Sequence, residues 1–272
     1  MVVSSNYLNY KLGNEMIKKR ASFYDLKNKT VFITGGGSGI GAAITEAFLA
    51  QGSLVSFVQR SDASIFCDQM EKKYQNRPYF IQCDISDISA LNKGVDEAKE
   101  KNGPIEVLVN NAANDVRHST LEVSEQFWDN SQALNLKAYF FSCQKVLHGM
   151  IEAMSGSIIN MSSISYMMGN AGYPSYVTAN SGINGMTRAL AREFGVYKIR
   201  VNAIAPGWVM TEKQKEMWVS PELLDAHIKR QCLKDLLLPD DIVDSVLFLA
   251  SDSSKSITGQ LLAVDGGVVT TG

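Results

Sequence analysis

The chain has 272 residues, 45% of them hydrophobic, which is enough to bury one large core, so a single α/β domain is expected. Its 26 basic and 28 acidic residues leave a formal charge of −2 and are dispersed along the chain, which excludes a field that gathers polyphosphate and argues against nucleic acid as a partner. Cys67, Cys83, Cys143 and Cys232 form no C-x-x-C pair, so neither a disulfide framework nor a thiolate zinc site is expected, and a reducing cytosol fits.

The opening residues, through Arg20, carry no continuous apolar stretch that could serve as a signal-peptide core, and no later stretch reaches the length of a membrane span. A soluble, cytoplasmic protein is expected, with no membrane partner. Residues 1–26 read as an extension whose Tyr and Leu side chains could pack on a neighbouring surface or stay mobile. The folded domain is expected over 27–272.

From Thr30 onward, short β-branched runs alternate with helical patterns. The runs are TVFIT (30–34), SLVSFV (53–58), YFIQC (79–83), VLVN (107–110), SIINM (157–161), VNAIA (201–205) and LLAV (261–264). Between them, apolar residues recur at spacings of three and four, as in Ile44, Phe48 and Leu49 or Ile183, Met186 and Leu190. Parallel strands need right-handed crossover helices, so this alternation predicts an α/β fold: a Rossmann-type, doubly wound, parallel seven-stranded sheet with helices on both faces. Ligands of such sheets bind beyond the carboxyl ends of the strands. Between Trp208 and Pro239 the chain carries about one helix more than a crossover needs, and the segment 208–238 reads as a substrate loop or lid.

Directly after the first run comes TGGGSGIG (34–41), opening a helix. Gly35 permits a tight turn, Gly39 lets the backbone approach a pyrophosphate, and Gly41 allows close helix packing, while the helix amino terminus offers free N–H donors. This TGxxxGxG spacing resembles the short-chain dehydrogenase/reductase family, and further motifs follow in the family's order from about Lys27 to Gly267. NNAA (110–113) resembles the NNAG element that steadies the sheet centre, CDI (83–85) the pair that contacts adenine, and PGWVMT (206–211) the loop beside the nicotinamide amide. The resemblance implies NAD(P), held by Gly35, Gly37, Ser38, Gly39, Ile40, Gly41, Asp84, Ile85, Asn111, Ala112, Ala113, Pro206, Gly207, Val209 and Thr211, with no metal. At the end of the second strand the family's ribose-binding carboxylate is replaced by Gln59, followed by Arg60. Loss of the negative charge and gain of a guanidinium favour the 2′-phosphate of NADP. Ser38, where NADP users of the family often carry Arg or Lys, and a reading in which Gln59 binds the ribose of NAD weigh the other way, so NADP leads NAD narrowly.

The family's active site is a Ser, Tyr, Lys and Asn constellation. Ser163 precedes Tyr176 by the usual thirteen residues, and Asn135 in LNLKAYFF resembles the fourth member. The resemblance implies that Tyr176, a phenol of reference pKa ~10, takes the alcohol proton once ionised while Ser163 hydrogen-bonds the developing carbonyl oxygen. Where the family has its lysine, four residues after Tyr176, this chain has Asn180. An amide there shares the tyrosine's helical face and can reach ribose hydroxyls, but it carries no charge to lower the phenol's pKa. Three readings compete: another cation stands in, the enzyme is slow, or the chain binds dinucleotide without turnover.

NNAANDVRH (110–118) and PGWVMTEKQ (206–214) resemble the aldose 1-dehydrogenases of the family. A pyranose needs several fixed donors and acceptors plus an aromatic or apolar wall. Asn114, Asp115, Arg117, His118, Trp208 and Gln214 are the candidates, although Asp115 and Arg117 could equally form a surface ion pair and Trp208 a packing contact. The implied reaction oxidises the anomeric C1 hydroxyl of a free monosaccharide to the lactone. The alternatives are an NAD(P)H-dependent reductase of a keto acid, acyl or steroid-like carbonyl, and a weakened dinucleotide-binding protein. Family members assemble as homodimers or homotetramers, here expected through the 134–154 and 181–194 helix faces.

Overall fold

Each β-branched run becomes a strand, because side chains that are stiff at χ1 pack well on a pleated surface covered on both sides. The computed structural model describes residues 20–217 and 220–270. Residues 1–19 of the expected extension, and positions 218 and 219 of the expected lid, lie outside the described residues. The strands are β1 Thr30–Thr34, β2 Leu54–Gln59, β3 Tyr79–Gln82, β4 Val107–Asn110, β5 Gly156–Met161, β6 Ile199–Pro206 and β7 Leu261–Val264. They form one parallel sheet in the order β3-β2-β1-β4-β5-β6-β7. The order reverses between β1 and β4, which opens a crevice at their carboxyl ends.

Nine α-helices connect the strands among the described residues: α1 Gly39–Ala50, α2 Ser64–Tyr74, α3 Ile88–Asn102, α4 Glu125–Gln132, α5 Ala138–Ala153, α6 Pro174–Phe194, α7 Glu212–Met217, α8 Pro221–Arg230 and α9 Pro239–Ala250. Several starts are written locally. Asp87 accepts from the N–H groups of Ser89 and Ala90 at the head of α3, and Ser124 from Phe127 at the head of α4. Proline opens α6, α8 and α9, where its missing N–H costs nothing. One apolar cluster, with Ile44, Phe48, Val246 and Leu247, fills the face under α1 and α9; a second, with Leu91, Val146, Leu147 and Leu190, fills the face under α3, α5 and α6.

Residues 20–26 are packed rather than loose. Arg20 pairs with Asp240 at 2.8 Å, the Phe23 N–H donates to Gln51 Oε1 at 2.8 Å, and Leu26 is fully buried. The sheet centre is unusually polar. Asn110 Nδ2 donates to Asn160 Oδ1 at 2.9 Å across β4 and β5, and Asn160 Nδ2 donates to Thr187 Oγ1 of α6 at 3.0 Å. Buried amides that find partners fix one register between neighbours and tie the sheet to α6, which carries Tyr176. Among the described residues no helix is long and apolar enough to cross a membrane.

Candidate active site

The glycine turn brings backbone N–H groups to the head of the crevice. Gly39, at φ +54°, starts α1 in the left-handed region, and a Cβ at Gly41 would lie 1.9 Å from the Gly35 carbonyl oxygen, so neither position tolerates a side chain. Ser38 is extended and makes no cap hydrogen bond, leaving the first-turn N–H groups of α1 directed at the crevice. The turn is held from behind. Asn111 Nδ2 donates to the carbonyls of Thr34 and Gly35 at 3.0 and 3.1 Å, and Thr34 Oγ1 accepts the N–H groups of Asn111 and Ala112.

Gln59 is committed to the same scaffold. Its Oε1 accepts the Gly37 N–H at 2.9 Å and its Nε2 donates to the Ser61 carbonyl at 3.0 Å. Both ends of the amide are therefore engaged within the protein, while the Arg60 side chain is 69% exposed, 3.9 Å from the Asp84 carboxylate. Asp84 itself accepts from the Ser86 N–H and hydroxyl.

A cleft of about 1010 Å³ runs from this turn along the carboxyl ends of β1, β4, β5 and β6. Of the residues expected to hold a cofactor, all but Gly37 and Gly39 line it; those two belong to the turn itself, Gly39 exposed and Gly37 half-buried. Ser163, just past β5, and Tyr176, in the first turn of α6, both face it. Ser163 Oγ accepts the Ser165 N–H at 3.1 Å, so its own proton is available to a ligand. The Tyr176 phenol is pushed up to about 12, first by burial and then by the negative charge of Asp115, while the Asn180 amide and Ser163 hydroxyl pull the other way.

Asn180 is 2% exposed and donates from Nδ2 to the Tyr176 carbonyl one turn back, at 2.9 Å. Asn135 does not line the cleft either. It sits in a π-helical segment, Ala133–Lys137, where its Oδ1 accepts the Asn114 N–H at 2.8 Å and its Nδ2 donates to the Asn114 carbonyl at 3.1 Å. π-segments insert one residue into a helix and re-aim side chains; here the result is a clamp on the strand-end loop that carries Asn114 and Asp115.

The far end of the cleft is closed by a latch. Lys213 Nζ donates to Asn114 Oδ1 at 2.9 Å and pairs with Asp115 at 3.2 Å; Gln214 Nε2 donates to Asp115 Oδ2 at 2.9 Å; Trp208 Nε1 donates to Gln214 Oε1 at 2.9 Å. Asp115 thus pairs with the 208–238 segment. The Arg117 guanidinium lies 3.6 Å over the Tyr173 ring, which stacks on Tyr176 at 5.5 Å. His118 does not line the cleft: its Nε2 lies 2.9 Å from Ser175 Oγ and its ring packs edge-on to Phe127, so it braces the start of α6.

Tyr139, Tyr173, Lys213 and His227 are among the further cleft residues to which no motif points. Tyr139 and Tyr173 are an aromatic one turn after Asn135 and one turn before Tyr176, which on sequence alone is the mark of core packing. His227 belongs to a stripe of α8 with Leu223, Ala226 and Arg230, at the three- and four-residue spacing of one helix face. That spacing was the available signal.

A family model described as enoyl-(acyl carrier protein) reductase matches residues 35–269. The probable galactose dehydrogenase GalD of Rhizobium meliloti is 44% identical over 250 residues, covering 91% of this chain and 98% of that one. The D-xylose 1-dehydrogenase of Caulobacter vibrioides is 40% identical over 248 residues, with 91% and 98% covered. Among solved structures, a blue fluorescent protein from a metagenomic library in complex with NADPH matches with a TM-score of 0.81 at 32% identity, covering 90% of this chain and 100% of that one.

Proposed function

The chain belongs to the short-chain dehydrogenase/reductase family, and from that premise we propose that it oxidises the anomeric C1 hydroxyl of a free aldose to the lactone with NAD(P). One observation carries the reading: the glycine turn, the Ser163 and Tyr176 hydroxyls, and a polar array around the Trp208 indole all line a single cleft. The two sugar dehydrogenases among the relatives support the substrate class.

The glycine turn fits a dinucleotide, since a side chain at Gly41 would collide with the backbone and the uncapped end of α1 supplies donors for a pyrophosphate. When bound, the nicotinamide ring accepts the hydride. The protein's part is proton chemistry and orientation. Ser163 donates to the substrate oxygen, the ionised Tyr176 phenol takes its proton, and Asn135, through Asn114, positions the loop that bears Asp115. Asp115, Gln214 and Trp208 orient the sugar hydroxyls and ring. A cytosolic homodimer or homotetramer using the outward faces of α5 and α6, where Phe140 is 42% exposed, completes the reading, and sedimentation of the purified chain tests it.

NADP is the preferred dinucleotide in this reading, because Gln59 is occupied by the Gly37 N–H while Arg60 extends from the same rim. Arg60→Ala is expected to weaken NADP by about 10-fold, the worth of one charge-assisted hydrogen bond, and to leave NAD unchanged. Parallel KM determinations with both cofactors check this. Equal losses on both would remove Arg60 from the 2′-phosphate.

A second reading, reduction of an acyl or other carbonyl, draws support from the 3-oxoacyl-[acyl-carrier-protein] reductase FabG of Chlamydia trachomatis, 35% identical over 245 residues, and from Tyr176, since a phenol near 12 is already protonated at neutral pH, the state in which it donates to a carbonyl oxygen. A panel of free aldoses with NAD and NADP, run beside 3-oxoacyl thioesters and keto acids with NADH and NADPH, separates the two. Lactone formed from an aldose at a specificity constant above those of the other arms supports the proposal; turnover confined to the carbonyl arms overturns it.

A further inference from the structure

Among the described residues, four buried side-chain polar atoms lack a hydrogen-bond partner: Tyr139 Oη, Ser165 Oγ, Asn184 Oδ1 and His227 Nε2. Burying such an atom unpaired costs about 1–3 kcal/mol, so each calls for a physical reason. Of the four, His227 stands on the 208–238 segment and borders the cleft.

Its surroundings describe what it could take. The imidazole meets the Trp208 ring edge-on at 5.4 Å and 85°, and Trp208 is tied through Gln214 to Asp115. His227 therefore continues a row of side chains that crosses the cleft beyond Ser163 and Tyr176. Burial, reinforced by the charge of Arg230, holds its pKa below the ordinary imidazole value, so the ring is neutral at pH 7. A neutral imidazole offers no charge to a carboxylate or phosphate. Its unpaired Nε2 is a donor in one tautomer and an acceptor in the other, and a hydroxyl group satisfies either.

We propose that His227 is a specificity-determining residue whose Nε2 hydrogen-bonds a sugar hydroxyl other than the one oxidised, with the Trp208 indole walling the same subsite. The hydroxyl at the reacting carbon belongs to Ser163 and Tyr176; His227 reads a second position on the ring. A site that pairs with a hydroxyl rejects the analogue lacking it, because its own polar atom is then left buried and unpaired. This inference rests on the aldose reading.

The test compares wild type, His227→Phe and His227→Gln on the best aldose of the panel and its monodeoxy analogues. Phe keeps a ring against Trp208 and removes the nitrogens; Gln restores a donor and an acceptor. His227→Phe is expected to raise the aldose KM about 10-fold, with kcat and cofactor KM within about twofold, and Gln to recover most of the loss. One monodeoxy sugar is expected to bind wild type about as weakly and to be indifferent to His227→Phe. Equal losses on every monodeoxy sugar, a shifted cofactor KM or an unchanged aldose KM each overturn the inference while leaving aldose oxidation standing. Should Phe fail to fold by thermal melting, His227→Leu carries the same expectations. If no aldose is turned over by wild type, the aldose reading falls and the inference falls with it.

Discussion

Replacing Tyr176 by Phe is expected to lower kcat/KM by about 10³-fold or more in both directions, the loss general acid–base groups commonly show, with cofactor affinity nearly unchanged. The phenol and Ser163 face one cleft, but they do different work. Ser163 already accepts the Ser165 N–H, so it is oriented to give its proton to the substrate oxygen rather than to remove one. Among the cleft's hydroxyls the phenol is the one flanked by both the Asn180 and Ser163 side chains. Removing its oxygen leaves the substrate bound without a proton acceptor, so the loss appears in kcat and persists at saturating substrate. The ring survives the substitution and still stacks on Tyr173, which keeps the Arg117 side chain in place and the cleft intact. Steady-state rates with cofactor titration measure both quantities. A variant that keeps more than about a tenth of wild-type kcat places the proton acceptor elsewhere.

The sheet was legible because its signal is local. A strand buried on both faces must be a short run of β-branched and apolar residues, and seven such runs became seven strands. The main departure is β6, which begins at Ile199 rather than Val201 and so includes Arg200. A charge in a strand reads as a terminus. Here the guanidinium is satisfied by the carbonyls of Leu249, Ala250 and Ser251, some fifty residues away, a compensation that no local window contains. The 208–238 segment likewise holds two short helices, α7 and α8, where the residue count suggested about one more than a crossover needs.

The same distinction divides the candidate site. Gly35, Gly39 and Gly41, Ser163 and Tyr176 announce themselves by spacing along the chain. Position in a motif marks Gln59 for the cofactor, Asn135 as the fourth catalytic member and His118 for the sugar; their side chains also hold Gly37, Asn114 and Ser175, contacts set by tertiary packing. An amide or imidazole near a cleft can serve either ligand or scaffold, and which it serves is decided by partners remote in sequence.

Asn180→Lys is expected to raise the oxidation rate at neutral pH by roughly 10- to 100-fold and to change the shape of the pH profile. With the phenol near 12, wild-type kcat/KM for oxidation should climb about tenfold per pH unit from pH 7 to 10 without a plateau, because the ionised fraction does so. An ammonium on the same helical face, one turn after Tyr176, favours the phenolate, so the pKa falls. A fall of two units multiplies the phenolate at pH 7 by about 100, and the weaker basicity of that phenolate returns part of the gain. Forward and reverse steps share one transition state, so at a fixed pH the reduction rate must rise by the same factor. The two profiles should then converge at alkaline pH, where the wild-type phenol ionises without help. A variant that merely repaired packing would shift all pH values alike, and a cation already supplied from elsewhere would leave the profile unmoved. Convergence on the alkaline side is therefore the diagnostic result, and an unaltered profile would show that the neutral amide at position 180 does not limit the rate.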